Sequence, residues 1–213
     1  MSIVFLKDNL AKDKEEFEKF KKSFDSKIFI EKSINPEQLL LDAFSMDLTL
    51  GKAWNSNYSY NDKSLFQIEN GKITLRPRQS VVVLVDEYIK VPNNKFGIVL
   101  STGSLFLQKG VLIPSAKVEP GYSGRLKLRI VNTSTSKVTL SVGEKLASVV
   151  FFATDNTPSH VEAIESEATN IPKLTWINKT KLAITSVPFA TWISLGSLLI
   201  AAGSFFYNVF FKA

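Results

Sequence analysis

The chain has 213 residues, 45% of them apolar, enough to bury one core and carry an appendage. It contains no cysteine, which excludes disulfides and thiolate-held zinc and agrees with a reducing compartment. Lys and Arg exceed Asp and Glu by enough to leave a net charge of +6, a mild bias toward anionic partners such as phosphates, nucleic acid or lipid headgroups.

The opening stretch "MSIVFLKDNLAKDKEEFEKFKK" turns charged within seven residues and lacks the pattern of a signal peptide. Residues 8–25 predict an amphipathic packing helix, because Leu10, Phe17, Phe20 and Phe24 recur at helical spacing and share one face. "IEKSINPEQLLLDAFSMDLTLGKAW" then gives an Asn-Pro turn and a strand. From residue 73 the pattern is all-β: "KITLRP", "VVVLVD", "KFGIVLS", "RLKLRIVN", "KVTLSV" and "LASVVFF" are punctuated by turn signals at a spacing suited to a barrel or jelly roll.

Within that run, "KVEPGYSGRLKLRIVN" (117–132) is a tight turn feeding a strand. Pro120, Gly121 and Gly124 supply the bend. Leu126, Leu128 and Ile130 then alternate with Arg125, Lys127 and Arg129, so one face is apolar and the other carries three cations. Either solvent or an anionic ligand offsets those charges. Tyr122 in the turn either stacks on a base or only packs, and Lys109 beside Gly110 either meets a phosphate or stands in solvent. His160, the sole histidine, lies in a polar stretch and reads as a surface residue.

Residues 154–182 are polar and predict a linker. Beyond them, 183–211 is 29 residues without a charged side chain, about 44 Å as a helix against a hydrocarbon core of roughly 30 Å. The expectation is a single-pass C-terminal transmembrane helix starting near Pro188, in contact with membrane lipid. Lys173, Lys179 and Lys181 before it place the large domain in the cytoplasm by the positive-inside tendency. Ala190, Ser194, Ser197, Ala201, Ser204 and Asn208 form a stripe of small and polar side chains, which predicts self-association of the helices.

In order and spacing, "SMDLTLGKAW" (45–54), "IVLSTGSLFLQKGV" (98–111), "AKVEPGYSGRLKLRIVN" (116–132) and "SVGEKLASVVFF" (141–152) resemble the motifs of the dCTP deaminase and trimeric dUTPase superfamily. The resemblance implies a mainly β fold, a distorted dUTPase-like β-barrel over 31–153 preceded by a helical segment over 1–30. It also implies a homo-oligomer, a trimer, with nucleotide sites at subunit interfaces. Deamination of a cytosine ring needs a carboxylate beside the base. Aligned on Asn132, the family's Glu falls on Arg129, which stays protonated and cannot act as a base. The family's Arg falls on Thr102 and its first Ser on Gly103, while Ser104 is retained. The carboxylate at the deoxyribose falls on Glu119, Asp47 matches an acid near the pocket, and the closing C-terminal segment is replaced by the linker and helix.

The expectation is therefore a chain with no catalytic residue, cofactor or metal. Its ligand-binding set is Ser104, Lys109, Glu119, Tyr122, Arg125, Lys127 and Arg129, for a nucleotide or short oligonucleotide. One functional reading is an inert, membrane-anchored sensor and effector, of the kind suited to antiviral defence. The other is a working, membrane-tethered deoxynucleotide deaminase or diphosphatase. A scaffold that has lost its ligand is a weaker third.

Overall fold

Period-two alternation turns into a curled, mainly antiparallel sheet whose inner rows are apolar. The computed structural model describes residues 1–23, 25–34, 41–154, 165–166, 171–178, 180 and 189–211. Contacts divide the chain into two compact units, Met1–Lys173 and Leu174–Ala213. The first holds β1 (Ser2–Ile3), α1 (Lys14–Phe20), β2 (Phe29–Lys32), β3 (Ser45–Asn55), β4 (Phe66–Gln67), β5 (Lys72–Leu75) and β6 (Ser80–Lys90). It continues through β7 (Lys95–Ser101), α2 (Gly103–Lys109), β8 (Val111–Leu112), β9 (Ala116–Val118), β10 (Ser123–Asn132), β11 (Val138–Ser141), β12 (Lys145–Ala153) and β13 (Glu165–Ser166). The second unit contains α3 (Phe189–Phe211).

The main sheet runs β13-β10-β6-β3-β12-β7-β9, with β1 on β12, β2 on β6, β4 on β3 and β8 on β10; β5 and β11 pair separately. Met46, Leu48 and Leu50 of β3, Val81, Val83 and Val85 of β6, Leu128 and Ile130 of β10, and Val149 and Phe151 of β12 fill one core. The strands predicted from residue 73 onward are all present.

The N-terminal region departs from expectation. The helix covers only Lys14–Phe20, because Asp13 caps it by accepting the Glu16 N–H at 2.7 Å, while Leu6–Asn9 before it form a turn closed by the Asn9 N–H on the Leu6 carbonyl. Leu10 bridges Ile28, and the Ala11 N–H donates to the Ile28 carbonyl at 2.8 Å. Long-range pairing thus takes the residues that periodicity assigned to the helix. Phe17 is buried with Ala11, Phe29 and Tyr88, Phe20 is half-buried, and Phe24 lies outside the described residues. Val4, Leu6 and Ile28 belong to the main core, and β1 pairs Ile3 with Phe152. The short helix α2 is also new: Thr102 precedes it in extended conformation, and Gly110 ends it at φ 64°.

Two acids on β6 are buried. Glu87 accepts from the Thr49 N–H at 2.8 Å and the Thr49 hydroxyl at 2.7 Å, with the Lys32 ammonium 3.7 Å away. Burial pushes its carboxyl above the usual range, against the opposing pull of the Thr49 bonds and Lys32. A carboxyl with a higher pKa folded than unfolded stabilises the fold most when protonated in both states. That contribution fades as pH rises from the ordinary 4.5 through the raised value. Glu87→Gln keeps an acceptor for Thr49 and is expected to flatten the Tm–pH profile in that window. A profile of unchanged slope would show that Glu87 ionises alike folded and unfolded.

In the second unit, α3 is 23 residues long, about 34 Å. Taken over the described residues alone, no helix is long and apolar enough to cross a membrane.

Candidate functional site

The turn before β10 is pinned to the end of β6. The Gly121 N–H donates to the Val91 carbonyl at 3.1 Å, the Val91 N–H returns to the Tyr122 carbonyl at 2.9 Å, and Gly121 adopts φ 75°, where a side chain would be strained. From this anchor β10 runs antiparallel to β6, with Leu126, Leu128 and Ile130 in the core and the three cations on the outer face.

Each cation has a partner within the chain. Arg125 donates through Nε to the Asp86 carbonyl at 3.1 Å and through a second nitrogen to Ser33 Oγ, and its guanidinium lies 6.0 Å from the Tyr88 ring centre. The Lys127 ammonium sits 5.8 Å over the Tyr58 ring. Arg129 donates to Ser80 Oγ at 3.1 Å and to the Tyr58 carbonyl at 3.0 Å. These partners are oxygens of neutral groups and ring faces, so the row keeps its positive charge while its orientation is held.

The remaining residues of the expected set are spread over other elements. Glu119 pairs with Lys117 at 2.8 Å, half in solvent. Asp47 is held by Lys145 at 2.6 Å and by the Ser148 hydroxyl at 2.7 Å. Ser104 is exposed on α2, and Lys109, at the end of that helix, pairs with Glu144 rather than with any group on β10. Thr102, where the resemblance places a functional Arg, is buried and donates its hydroxyl to the Leu146 carbonyl at 3.1 Å. Tyr122, Arg125, Lys127 and Arg129 therefore form one continuous turn and strand, and Ser104 and Lys109 stand apart from it.

Residues 165–166 and 171–172 lie against the same sheet. β13 adds a parallel edge to β10, with Ser123 opposite Glu165 and Gly124 opposite Ser166. The Gln67 N–H donates to the Pro172 carbonyl at 3.0 Å, and Ile171 packs with Tyr58 on the cluster of Ala53, Leu65, Val82 and Leu84. His160 and Lys179 lie outside the described residues.

Sequence reasoning missed a cavity of about 250 Å³ between the end of α1 and the β10 turn. Phe17, Lys21, Lys22, Lys90, Asn93 and Tyr122 are among its lining residues. Its only local signal was the run of lysines closing α1, on a segment that read as a packing helix. The missing information was the approach of β6 and the turn from far along the chain.

On α3, Ser194, Ser197, Ala201 and Ser204 are exposed. Ser197 Oγ donates to the Ser194 carbonyl and Ser204 Oγ to the Ala201 carbonyl, each at 2.9 Å, so these hydroxyls bond back to their own helix. The side chains of Ala190 and Asn208 fall outside the described ones.

A curled β-sheet with a Pro-Gly-aromatic turn feeding the strand that ends in Asn132 defines the class. The family model described as dCTP deaminase-like matches residues 18–154, and the chain belongs to that family. Relatives include the dCTP deaminase of Pyrococcus horikoshii, 28% identical over 131 residues that cover 57% of this chain and 80% of that protein. The dCTP deaminase of Pyrococcus abyssi is 30% identical over 134 residues, 62% of this chain and 79% of that one. A crystal structure of the 2′-deoxycytidine 5′-triphosphate deaminase from Agrobacterium tumefaciens matches at a TM-score of 0.49 and 14% identity, covering 57% of this chain and 43% of that chain.

Proposed function

We propose that this protein is a membrane-anchored, catalytically inactive dCTP deaminase-like protein that binds an anionic nucleotide or oligonucleotide on the outer face of β10. The observation that carries the reading is Arg129. It stands at the position where, by the resemblance, the deaminase has its Glu, and its guanidinium is fixed on Ser80 and Tyr58. A group that stays protonated at any accessible pH cannot take a proton from water. It can hold a phosphate, and Arg125 and Lys127 beside it add to the same field.

The membrane anchor is supported by the sequence, which runs without charge through the whole of α3, and by the exposure of Ile193, Leu198, Leu199, Ile200 and Phe206 on that helix. Apolar side chains presented in such number are stable against lipid and costly in water. The β unit also exposes Ile3, Phe5 and Phe44, and separately Phe106 and Leu107, surface that assembly of copies as a homo-trimer would cover. Ligand-dependent assembly would then be passed to the helices, whose small and hydroxyl side chains permit close approach. Such a sensor and membrane effector, with its large domain in the cytoplasm, suits antiviral defence.

The relatives named dCTP deaminase support the competing reading of a tethered enzyme, and turnover separates the two. The full chain in detergent micelles is expected to produce neither deaminated nucleotide nor diphosphate from dCTP or dUTP; steady formation of either product rejects the inactive reading. Binding of dCTP, dUTP or a short oligodeoxynucleotide, followed by calorimetry, is expected to weaken about tenfold for each charge reversed among Arg125, Lys127 and Arg129. Unchanged affinity in the triple variant places the nucleotide elsewhere.

A further inference from the structure

The cavity at the end of α1 has a charge balance that the fold does not explain. Three lysines line it, Lys21, Lys22 and Lys90, with one acid, Glu18. Glu18 serves two of them at once, pairing with Lys21 through one oxygen and with Lys90 at 2.9 Å through the other. Those two bonds hold its carboxyl below the usual range, so it is ionised at neutral pH. Lys22 has no partner among the described residues, and neither has the Asn93 side chain. The site thus carries two positive charges uncompensated among the described residues and an unused amide around a recess lined by Phe17 and Tyr122.

The size of the recess narrows its occupant. At about 250 Å³ it lies below the roughly 300–1,000 Å³ of pockets that hold drug-sized ligands. That size matches a phosphate with a sugar-sized group. A phosphate monoester carries about −1.5 to −2 at pH 7, which matches the excess charge. The aromatic residues suit the carbons of a small sugar, and Lys22 and Asn93 supply donors that nothing else among the described residues uses.

We propose that the cavity between α1 and the β10 turn is a binding site for a small phosphate monoester, separate from the basic row of β10. Of the expected ligand-binding set only Tyr122 lines it, and the proposal does not depend on nucleotide binding at Arg129. Because Tyr122 and Ser123 open β10, an occupant here touches the start of the strand that carries the basic row.

The test is calorimetric titration of the full chain in detergent micelles with ribose 5-phosphate, inorganic phosphate and ribose. Both phosphates are expected to bind and ribose is not. Lys22→Glu, at an exposed position without a partner among the described residues, is expected to weaken phosphate binding by at least about tenfold through loss and reversal of a charge-assisted contact. Lys22→Gln should weaken it less, and Lys137→Glu, a surface control, not at all. Arg129→Glu should leave phosphate binding intact while reducing nucleotide affinity. The proposal is overturned if wild-type protein binds neither phosphate or if Lys22→Glu binds as wild type. It is also overturned if the loss follows Arg129→Glu instead, which would put the phosphate on β10.

Discussion

Asn132→Asp is expected to destabilise the β unit by about 3–5 kcal/mol, because it buries a charge and sets one of its oxygens against acceptors only. Asn132 is fully buried at the end of β10. Its amide nitrogen donates to the carbonyls of Ser136 at 2.8 Å, Arg76 at 3.0 Å and Leu75 at 3.3 Å. Its oxygen accepts from the Ser134 N–H at 3.0 Å and the Ser134 hydroxyl at 2.8 Å. One side chain thereby ties the end of β10 to the end of β5 and to the turn leading into β11. The Asp carboxylate would keep the Ser134 bonds but set an anionic oxygen against three carbonyls. A domain of this size loses roughly 2–4 °C of melting temperature per kcal/mol, so a fall of about 10 °C is expected in a thermal melt. A shift of only a degree or two would mean that the three carbonyls find other donors, and that the amide is not what holds this corner.

This side chain also shows what the sequence could and could not reveal. Asn132 served as an alignment mark through family resemblance, and the structure supplies its physical reason: a buried amide satisfying backbone at three separate places. The long strands were legible because alternation is local. Leu126, Leu128 and Ile130 had to share a face wherever β10 lay. The ends were less legible. β6 runs to Lys90, beyond the apolar run, because β2 pairs with its last residues, Phe29 opposite Lys90 through Lys32 opposite Glu87. Residues 9–11 left the predicted helix for Ile28, a choice set by tertiary pairing and invisible to helical periodicity. The two-residue strand β1 was too short to show alternation at all.

The site divides in the same way. The positive charge at Arg129 and the neutral side chain at Thr102 could be read directly, since each depends only on which residue occupies a position. What those residues touch could not. Arg129 is held by Tyr58, 71 residues away, and the cavity joins α1 to a turn about a hundred residues later. Such meetings follow from closure of the whole sheet rather than from any local pattern. The motif positions accordingly separate by role. Those that satisfy the backbone explain the shared fold, and they are distinct from Arg129 and Thr102, where the resemblance places catalytic side chains.

Gly51→Ala tests that separation at the first motif, "SMDLTLGKAW". A methyl group on Gly51 would lie 2.7 Å from the Leu84 carbonyl oxygen and 2.9 Å from that of Val85, closer than such atoms approach. Both obstacles are backbone of β6, which cannot withdraw. On its far side Lys127 of β10 pairs with Leu84, and Leu50 of β3 pairs with Val85 on the near side. The sheet must either open or slip, at a cost of roughly 3 kcal/mol. Gly97→Ala is the comparison, since a methyl there meets only side chains, Phe151 and Val149 at 3.0 Å, which can rotate or shift. In denaturant titrations of the full chain, Gly51→Ala is expected to lose at least twice as much stability as Gly97→Ala. Equal losses would show that β6 gives way as readily as a side chain. The close approach of β3 to β6 would then not be the reason a glycine stands in this motif.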